Sequence, residues 1–239
     1  MLWPDWNCFL LLLKCYNSGM DSAYKIISFD YGKGANSSRI LIEDATSKKL
    51  LKFTDLREDY FDSAYTPKLF SVNSPKYAKL NKCDTSYIYE YEFIDGFLLR
   101  ECAVDDELFL NLIKMLVFFF SSDLFVWDCH IDNIIVKNKK PYFVDFGGIK
   151  KQPFTERHYI FDFDPYDCPE EFSADNYPES YNTETFTIYW LADQLIKRCK
   201  CIFSKKATAV LTKMHSTAIK NRYISFNVIV KELLNSSLA

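Results

Sequence analysis

Three polar residues in one stretch have types and spacing suited to phosphate chemistry. Val126-Trp127-Asp128-Cys129-His130-Ile131-Asp132-Asn133-Ile134-Ile135-Val136 is followed closely by Tyr142-Phe143-Val144-Asp145-Phe146-Gly147. Moving a phosphoryl group requires one carboxylate to receive or orient the proton of the attacking nucleophile. It also requires an amide and a second carboxylate to hold Mg²⁺ on the phosphates. Asp128, Asn133 five residues on, and Asp145 after an intervening hairpin supply that set. An Asp-Phe-Gly triplet alone carries little weight; the full combination after a long apolar helix carries much more.

The surrounding elements must bring these groups together. Apolar pattern and turn residues predict strands over Tyr24–Asp30, Ser38–Glu43 and Lys49–Thr54, with a loop around Gly32 and Gly34 and a turn over Ala45–Lys48. Asp55–Tyr65 has helical character, with Glu58 three residues after a possible Asp55 cap, and Pro67 ends it. Lys68–Val72 and Ser86–Phe93 read as further strands, and Asp95-Gly96 marks a turn. Asp105–Phe120 then reads as a long helix with Leu108, Leu112, Met115 and Phe119 on one stripe and more apolar residues around it, so it is expected to be buried on several sides. A hairpin follows: Ile134–Val136, a polar turn over Lys137–Lys140, and Tyr142–Val144. From about Thr183 the chain is expected to be helical with loops. Sheet first and helices later is an α+β pattern.

The chain has 239 residues, 49% hydrophobic, 26% charged and 17% aromatic, enough for one large domain or two small lobes. A net charge of −3 and the lack of a Lys/Arg-rich stripe argue against nucleic acid as partner. The eight cysteines form no C-x-x-C pair and are expected to be reduced thiols, mostly buried. The apolar run Trp6–Leu13 is too short to span a bilayer and lacks a basic leader, so no transmembrane segment is expected. Residues 1–22 are read as an N-terminal extension without a chemical role.

From about Tyr24 to Leu234 the chain resembles the protein-kinase-like superfamily. The resemblance implies a two-lobed fold: a trimmed sheet lobe over 23–93 with a short helix, and a mainly helical lobe over 94–239 with the catalytic and metal-binding loops. It makes Asp128 the catalytic aspartate, Asn133 and Asp145 the Mg²⁺ ligands, and Gly147 the source of that loop's freedom. Tyr31–Ser37 looks like a reduced Gly-rich loop in which Gly32 and Gly34 cover phosphates, although Ser37 replaces the third glycine and Arg39 stands where valine is expected. Leu50-Leu51-Lys52-Phe53 is similar to the strand bearing the phosphate-binding lysine. Period-two alternation puts Leu50 and Lys52 on one face, whereas Lys48 and Lys49 read as turn residues.

Tyr91–Gly96 looks like the hinge, where backbone groups of residues such as Glu92 and Ile94 pair with adenine. Pro169-Glu170 resembles the end of an activation segment, and Arg222 its buried ion-pair partner. Leu191-Ala192 sits in a helix similar to the one that anchors the catalytic loop. Five of the six glycines, at 32, 34, 96, 147 and 148, fall at these loops.

The pattern also departs from that family. Glu58, or Asp62 one turn on, is left to pair with Lys52. Trp127 replaces the arginine that receives a phosphorylated loop in many kinases. His130 stands in place of a lysine, giving the Asp-x-His-x-x-Asn string seen in the aminoglycoside and choline kinase-like branch, and either contacts the γ-phosphate or structures the loop. Asp132 reads as a structural or solvated acid. Thr187 stands where the anchoring helix usually bears aspartate, so the loop needs another support. The acids between Phe161 and Asp175 read as a solvated loop or as a preference for basic substrates.

The expected function is a protein Ser/Thr kinase using ATP and Mg²⁺. A small-molecule phosphotransferase and a nucleotide-binding pseudokinase scaffold are the alternatives. Compact kinases with trimmed upper lobes resemble those of viruses and of bacteria that inject effectors. That likeness implies a cytoplasmic protein, in the host cell if so delivered, whose partner is a protein substrate, a host protein in that case.

Overall fold

The computed structural model describes residues 25–31, 37–43, 47–54, 77–83, 86–121, 124–126, 129–144, 149–151 and 184–235. The architecture is mixed α+β. The chain divides into two compact units, with the boundary between Ile94 and Asp95; residues 1–70 and 75–94 form the first, and 71–74 and 95–239 the second.

The first unit is built on a five-stranded antiparallel sheet: β1 (Lys25–Tyr31), β2 (Ser37–Glu43), β3 (Lys48–Thr54), β4 (Tyr77–Cys83) and β5 (Ser86–Glu92), in the order β1-β2-β3-β5-β4. Alternation along β2 and β3 sets one face: Ile40, Ile42 and Leu51 are buried, and Ile40 lies opposite Leu51. The other face carries Leu50 and Lys52, opposite Tyr91 and Tyr89, whose rings stack 6.3 Å apart. One sequence expectation changes here, and one strand is new. Lys48 and Lys49 belong to β3 and pair with Glu43 and Ile42, because the turn before them is shorter than the polar composition suggested. β4, rich in lysine and asparagine, was not foreseen; its side of the hairpin is set by pairing with β5. The strand expected over Lys68–Val72 and the helix over Asp55–Tyr65 lie outside the described residues.

The second unit centres on helix α1 (Asp106–Ser121). Asp105 caps it: the Leu108 amide donates to Asp105 Oδ1 at 2.9 Å. The predicted stripe of Leu108, Leu112, Met115 and Phe119 is buried, as are Phe109, Ile113 and Leu116 between its members. One side of α1 packs on a hairpin of β9 (Ile134–Lys137) and β10 (Lys140–Phe143), where Phe119 meets the Phe143 ring edge-on at 5.9 Å. The hairpin turn is two residues rather than four. Asn138 and Lys139 both adopt left-handed torsions, φ 52° and 58°, as a tight primed turn requires. Lys139 Nζ reaches back to Asp105 at 2.7 Å and Glu107 at 2.8 Å, which ties the turn to the start of α1.

The short strand β6 (Phe97–Leu98) adds to β9. Gly96 precedes it at a close approach: a Cβ there would sit 2.5 Å from the Val136 carbonyl oxygen. Strand β7 (Ala103–Asp105), β8 (Leu124–Val126) and β11 (Ile149–Lys151) follow in chain order. Helix α2 (Glu184–Arg198) is buried over much of its circumference. The region expected to be only helices and loops also contains β12 (Lys200–Ile202), which runs parallel to β7. Helices α3 (Lys205–Met214) and α4 (Phe226–Leu234) are capped by Ser204 and Ser225. The Phe226 ring of α4 lies 5.5 Å from Phe120 of α1. Among the described residues no helix is long and apolar enough to cross a membrane.

Candidate functional site

The loop carrying Asn133 is fixed by groups from four directions. Residues Ile131–Asn133 form a single 3₁₀ turn, closed by Asn133 N–H donating to the His130 carbonyl at 2.9 Å. The turn feeds directly into β9. Val144, just after β10, donates its N–H to the Asn133 carbonyl at 2.9 Å. Asn133 and Val144 are therefore held side by side by the hairpin they bracket.

Side chains from α2 grip the same turn. Gln194, 2% exposed, accepts the Ile131 N–H on Oε1 at 3.0 Å and donates from Nε2 to the Cys129 carbonyl at 2.9 Å. One buried amide thus satisfies a donor and an acceptor of the loop backbone, groups that are costly to leave unpaired. The helix through Leu191 and Ala192 does anchor the loop. Gln194 is an anchoring side chain; Thr187, itself buried, lies seven residues earlier. The signal available in the sequence was a polar residue two turns along the same apolar face.

Asp132 is half-buried and paired with two arginines. Arg100 Nη1 lies 2.9 Å from Oδ1 and Arg198 Nη2 lies 2.8 Å from Oδ2. Arg100 comes from the 3₁₀ turn after β6 and Arg198 from the last residue of α2, so this carboxylate joins three segments. Arg198 Nη1 also lies 2.6 Å from His130 Nε2. His130 Nδ1 also accepts the Asp132 backbone N–H at 3.2 Å.

The flanking backbone brings two further chain ends together. β8 pairs antiparallel with β11, and Val126 lies opposite Ile149. Asp128 follows Val126 by two residues, and Asp145 follows Val144 by one. Asp128 and Asp145 themselves lie outside the described residues, as do Gly32, Gly34, Glu58, Asp62, Trp127, Gly147, Pro169 and Glu170. The described flanks nevertheless meet at both ends: Val126 with Ile149, and Asn133 with Val144.

The remaining described residues of the predicted set lie in the first unit. Lys52 is half-buried on β3, opposite Arg39 and Tyr89. Glu92 ends β5, opposite Lys49, and is exposed; Ile94 is 6% exposed. Lys49, read as a turn residue from sequence, instead projects from the opposite face to Lys52. Its Nζ is 2.9 Å from Glu90, whose side chain is 3% exposed. Cross-strand alternation therefore separates two lysine roles three residues apart: Lys49 neutralises a buried acid, and Lys52 shares the tyrosine face.

Arg222 is 4% exposed. Its guanidinium donates to the carbonyls of Ser216, Thr185 and Thr217 and lies 5.0 Å over the Tyr189 ring. His215 stacks on Tyr189, ring centroids 5.0 Å apart, and its Nε2 meets Asp193 Oδ1 at 3.0 Å. The described cysteines at 102, 129, 199 and 201 are free thiols, of which Cys129 is buried and the others half-buried. Burial pushes the Cys199 thiol up to about 12, which keeps it protonated and unreactive at neutral pH. Among the described residues no group of His, Cys, Asp and Glu is arranged to hold a metal ion. Asn133 and Asp145 offer oxygen donors, the hard ligand type Mg²⁺ takes.

No family model matches the chain, and no curated protein matches it.

Proposed function

We propose that the chain is a phosphotransferase of the protein-kinase-like type that moves the γ-phosphate of Mg·ATP to a Ser or Thr hydroxyl of a protein. One observation carries this reading. The backbone flanking Asp128 and Asp145 is paired on both sides: Val126 lies opposite Ile149, and Val144 donates its N–H to the Asn133 carbonyl. Such flanks suit two polar loops working on one group.

In this mechanism Asp128 accepts the proton of the attacking hydroxyl, or orients it, as the new oxygen–phosphorus bond forms. The bond from the γ-phosphorus to the bridging oxygen breaks, and ADP leaves. Lys52 offsets phosphate charge. Mg²⁺ held by Asn133 and Asp145 would neutralise charge on the phosphate oxygens. Positioning and electrostatics supply most of the acceleration, so the fixed turn at Ile131–Asn133 matters more than any covalent step.

A protein acceptor is favoured over a small molecule. The string that suggested the small-molecule branch depends on His130, and its Nε2 is taken up by Arg198. The buried Arg222 fits a lower lobe built to dock polypeptide.

Thermal unfolding with ATP, with and without Mg²⁺, tests nucleotide binding. The expected result is a Mg²⁺-dependent rise in Tm that disappears in Asp145→Asn. A rise that is independent of Mg²⁺ and of Asp145 would count against the assigned metal role, and no rise with either would leave the reading without a nucleotide site.

A further inference from the structure

Charge is divided unevenly along the chain. Residues 194–231 include nine lysines and arginines and no aspartate or glutamate, whereas the rest of the chain carries 20 basic against 32 acidic residues. The nine cations are spaced singly or in pairs, so no basic run stands out. Among the described residues, six of the seven exposed large hydrophobic side chains also fall between positions 196 and 234. The two features coincide most closely over residues 219–231. Ile224 is 77% exposed, with Ile219 and Val228 at 39% and 36%, and Lys220 and Lys231 are exposed in the same segment.

The segment displays these side chains from a pinned backbone. Arg222 and Tyr223 before Ile224 are buried, and so is Phe226 after it. The Phe226 N–H donates to Glu184 Oε1 at 2.6 Å, and Ser225 Oγ accepts the Val228 N–H. Ile224 is thus shown to water between anchored neighbours. Along α4, Val228 and Lys231 lie on the ridge opposite buried Phe226 and Ile229. The acid next to that ridge, Glu232, lies 4.0 Å from Lys213.

We infer that residues 219–231 form a docking surface for an anionic phospholipid bilayer: Ile224 and Val228 enter the boundary between headgroups and acyl chains, and Lys220 and Lys231 meet the anionic headgroups. The residue types select this partner. The two arginines of the acid-free stretch are committed within the fold, Arg198 to Asp132 and Arg222 to backbone carbonyls. The outward cations of the segment are lysines, point charges suited to a diffuse anionic surface rather than to paired recognition of one carboxylate. Its exposed hydrophobic side chains are aliphatic and suit acyl chains, whereas single-stranded nucleic acid stacks its bases on aromatic platforms. A second copy laid face to face would set lysine against lysine. Apolar contact and basic attraction act together in reversible membrane attachment, because one signal alone is marginal. The surface lies in the second unit and needs no part of the phosphotransferase reading.

The test is co-sedimentation of the full chain with vesicles of phosphatidylcholine alone, or of two parts phosphatidylcholine to one part phosphatidylserine. The wild type is expected to bind the phosphatidylserine vesicles far more tightly, and less so as salt rises. Lys220→Gln with Lys231→Gln should lower the partition coefficient about 25-fold, at about 1 kcal/mol for each lysine. Ile224→Asn should lower it about tenfold. These side chains are exposed, so Tm and phosphate transfer to a soluble acceptor are expected to stay unchanged, which separates loss of docking from loss of fold. No binding to the phosphatidylserine vesicles, equal binding to both kinds, or binding undiminished in either folded variant overturns the inference. Binding to poly-glutamate without binding to vesicles assigns the face to an acidic protein segment and overturns it equally. A wild type that transfers no phosphate overturns the functional reading alone, because the vesicle result is obtained without ATP.

Discussion

The strand bearing Lys52 and the turn bearing Asn133 are held in opposite ways. β3 lies between β2 and β5 and is secured by backbone pairing along its whole length. The orientation of Lys52 follows from alternation alone: residues two apart share a face, and Leu51 on the other face is fully buried. The turn at Ile131–Asn133 has two short-range backbone hydrogen bonds, Asn133 N–H to His130 and Ile134 N–H to Ile131, and draws much of its further support from the side chains of Gln194, Arg198 and Arg100, far away in sequence. A strand in a sheet tolerates loss of a side chain because its neighbours still define the register. A short polar turn does not, because the side chains are its framework.

The largest effect is therefore expected at Gln194. Gln194→Leu keeps the volume but orphans the Ile131 N–H and the Cys129 carbonyl, at about 1–3 kcal/mol for each buried group. Urea unfolding should show a loss of about 3 kcal/mol, with transfer activity reduced at temperatures where the protein remains folded. A loss under about 1 kcal/mol would mean that the loop is supported elsewhere.

The two lysines of β3 sharpen the comparison from the sheet side. Lys52→Met should lower transfer about 100-fold with little change in stability, as expected when one charge-stabilising group is removed. Lys49→Met should do the reverse. It leaves the Glu90 carboxylate without that ammonium at a site where Lys49 is a quarter exposed, and should cost about 1–2 kcal/mol in unfolding free energy. Exchange of these two phenotypes would show that the phosphate lysine had been misassigned.

Gly96 guards the hairpin that carries the turn into β10. Gly96→Ala forces a Cβ against the Val136 carbonyl and the Ile135 side chain and should destabilise by about 2 kcal/mol in the same denaturation assay. A neutral outcome would mean that β6 and β9 separate easily.

Asp105 gives a smaller, pH-dependent effect. The Lys139 ammonium, and then the Leu108 N–H, hold its carboxyl below the ordinary carboxylate value. A lowered folded pKa contributes stability above the unfolded value near about 4, and that stability is lost as pH falls through the folded value. Asp105→Asn should flatten this acid limb and, with the cap weakened, cost no more than about 1 kcal/mol at pH 7. The smallest effect is expected at the hairpin turn, where Asn138→Gly suits the left-handed torsion and should be within about 0.5 kcal/mol of neutral.

The same contrast explains what the residues reveal when read in order. The helix stripe at Leu108, Leu112, Met115 and Phe119 and the strands of Ile40, Ile42 and Leu51 follow from local periodicity, and they are found as expected. The hairpin after Asn133 was legible for the same reason, apart from the length of its turn. β4 was not, because its polar residues satisfy no pattern until β5 pairs with them. Strand β12 draws its pairing from β7, nearly a hundred residues earlier, so its neighbours in sequence say nothing of it. The support of the turn was legible as a need, since Thr187 stands where an aspartate is expected, but Gln194 was not legible as an answer: it reads locally as one more residue of a buried helix. Arg100 and Arg198 read as ordinary surface cations until Asp132 is found between them.

The most direct measurement is transfer of label from the γ-position of ATP to protein acceptors in a cell lysate, with Mg²⁺, by the wild type, Asp128→Ala and Asp145→Ala side by side. The expected result is labelled protein with the wild type and background levels with either variant, each remaining folded. Labelling that persists undiminished in Asp128→Ala, or a folded wild type that binds Mg·ATP and labels nothing, would contradict the assignment of this chain as a phosphotransferase.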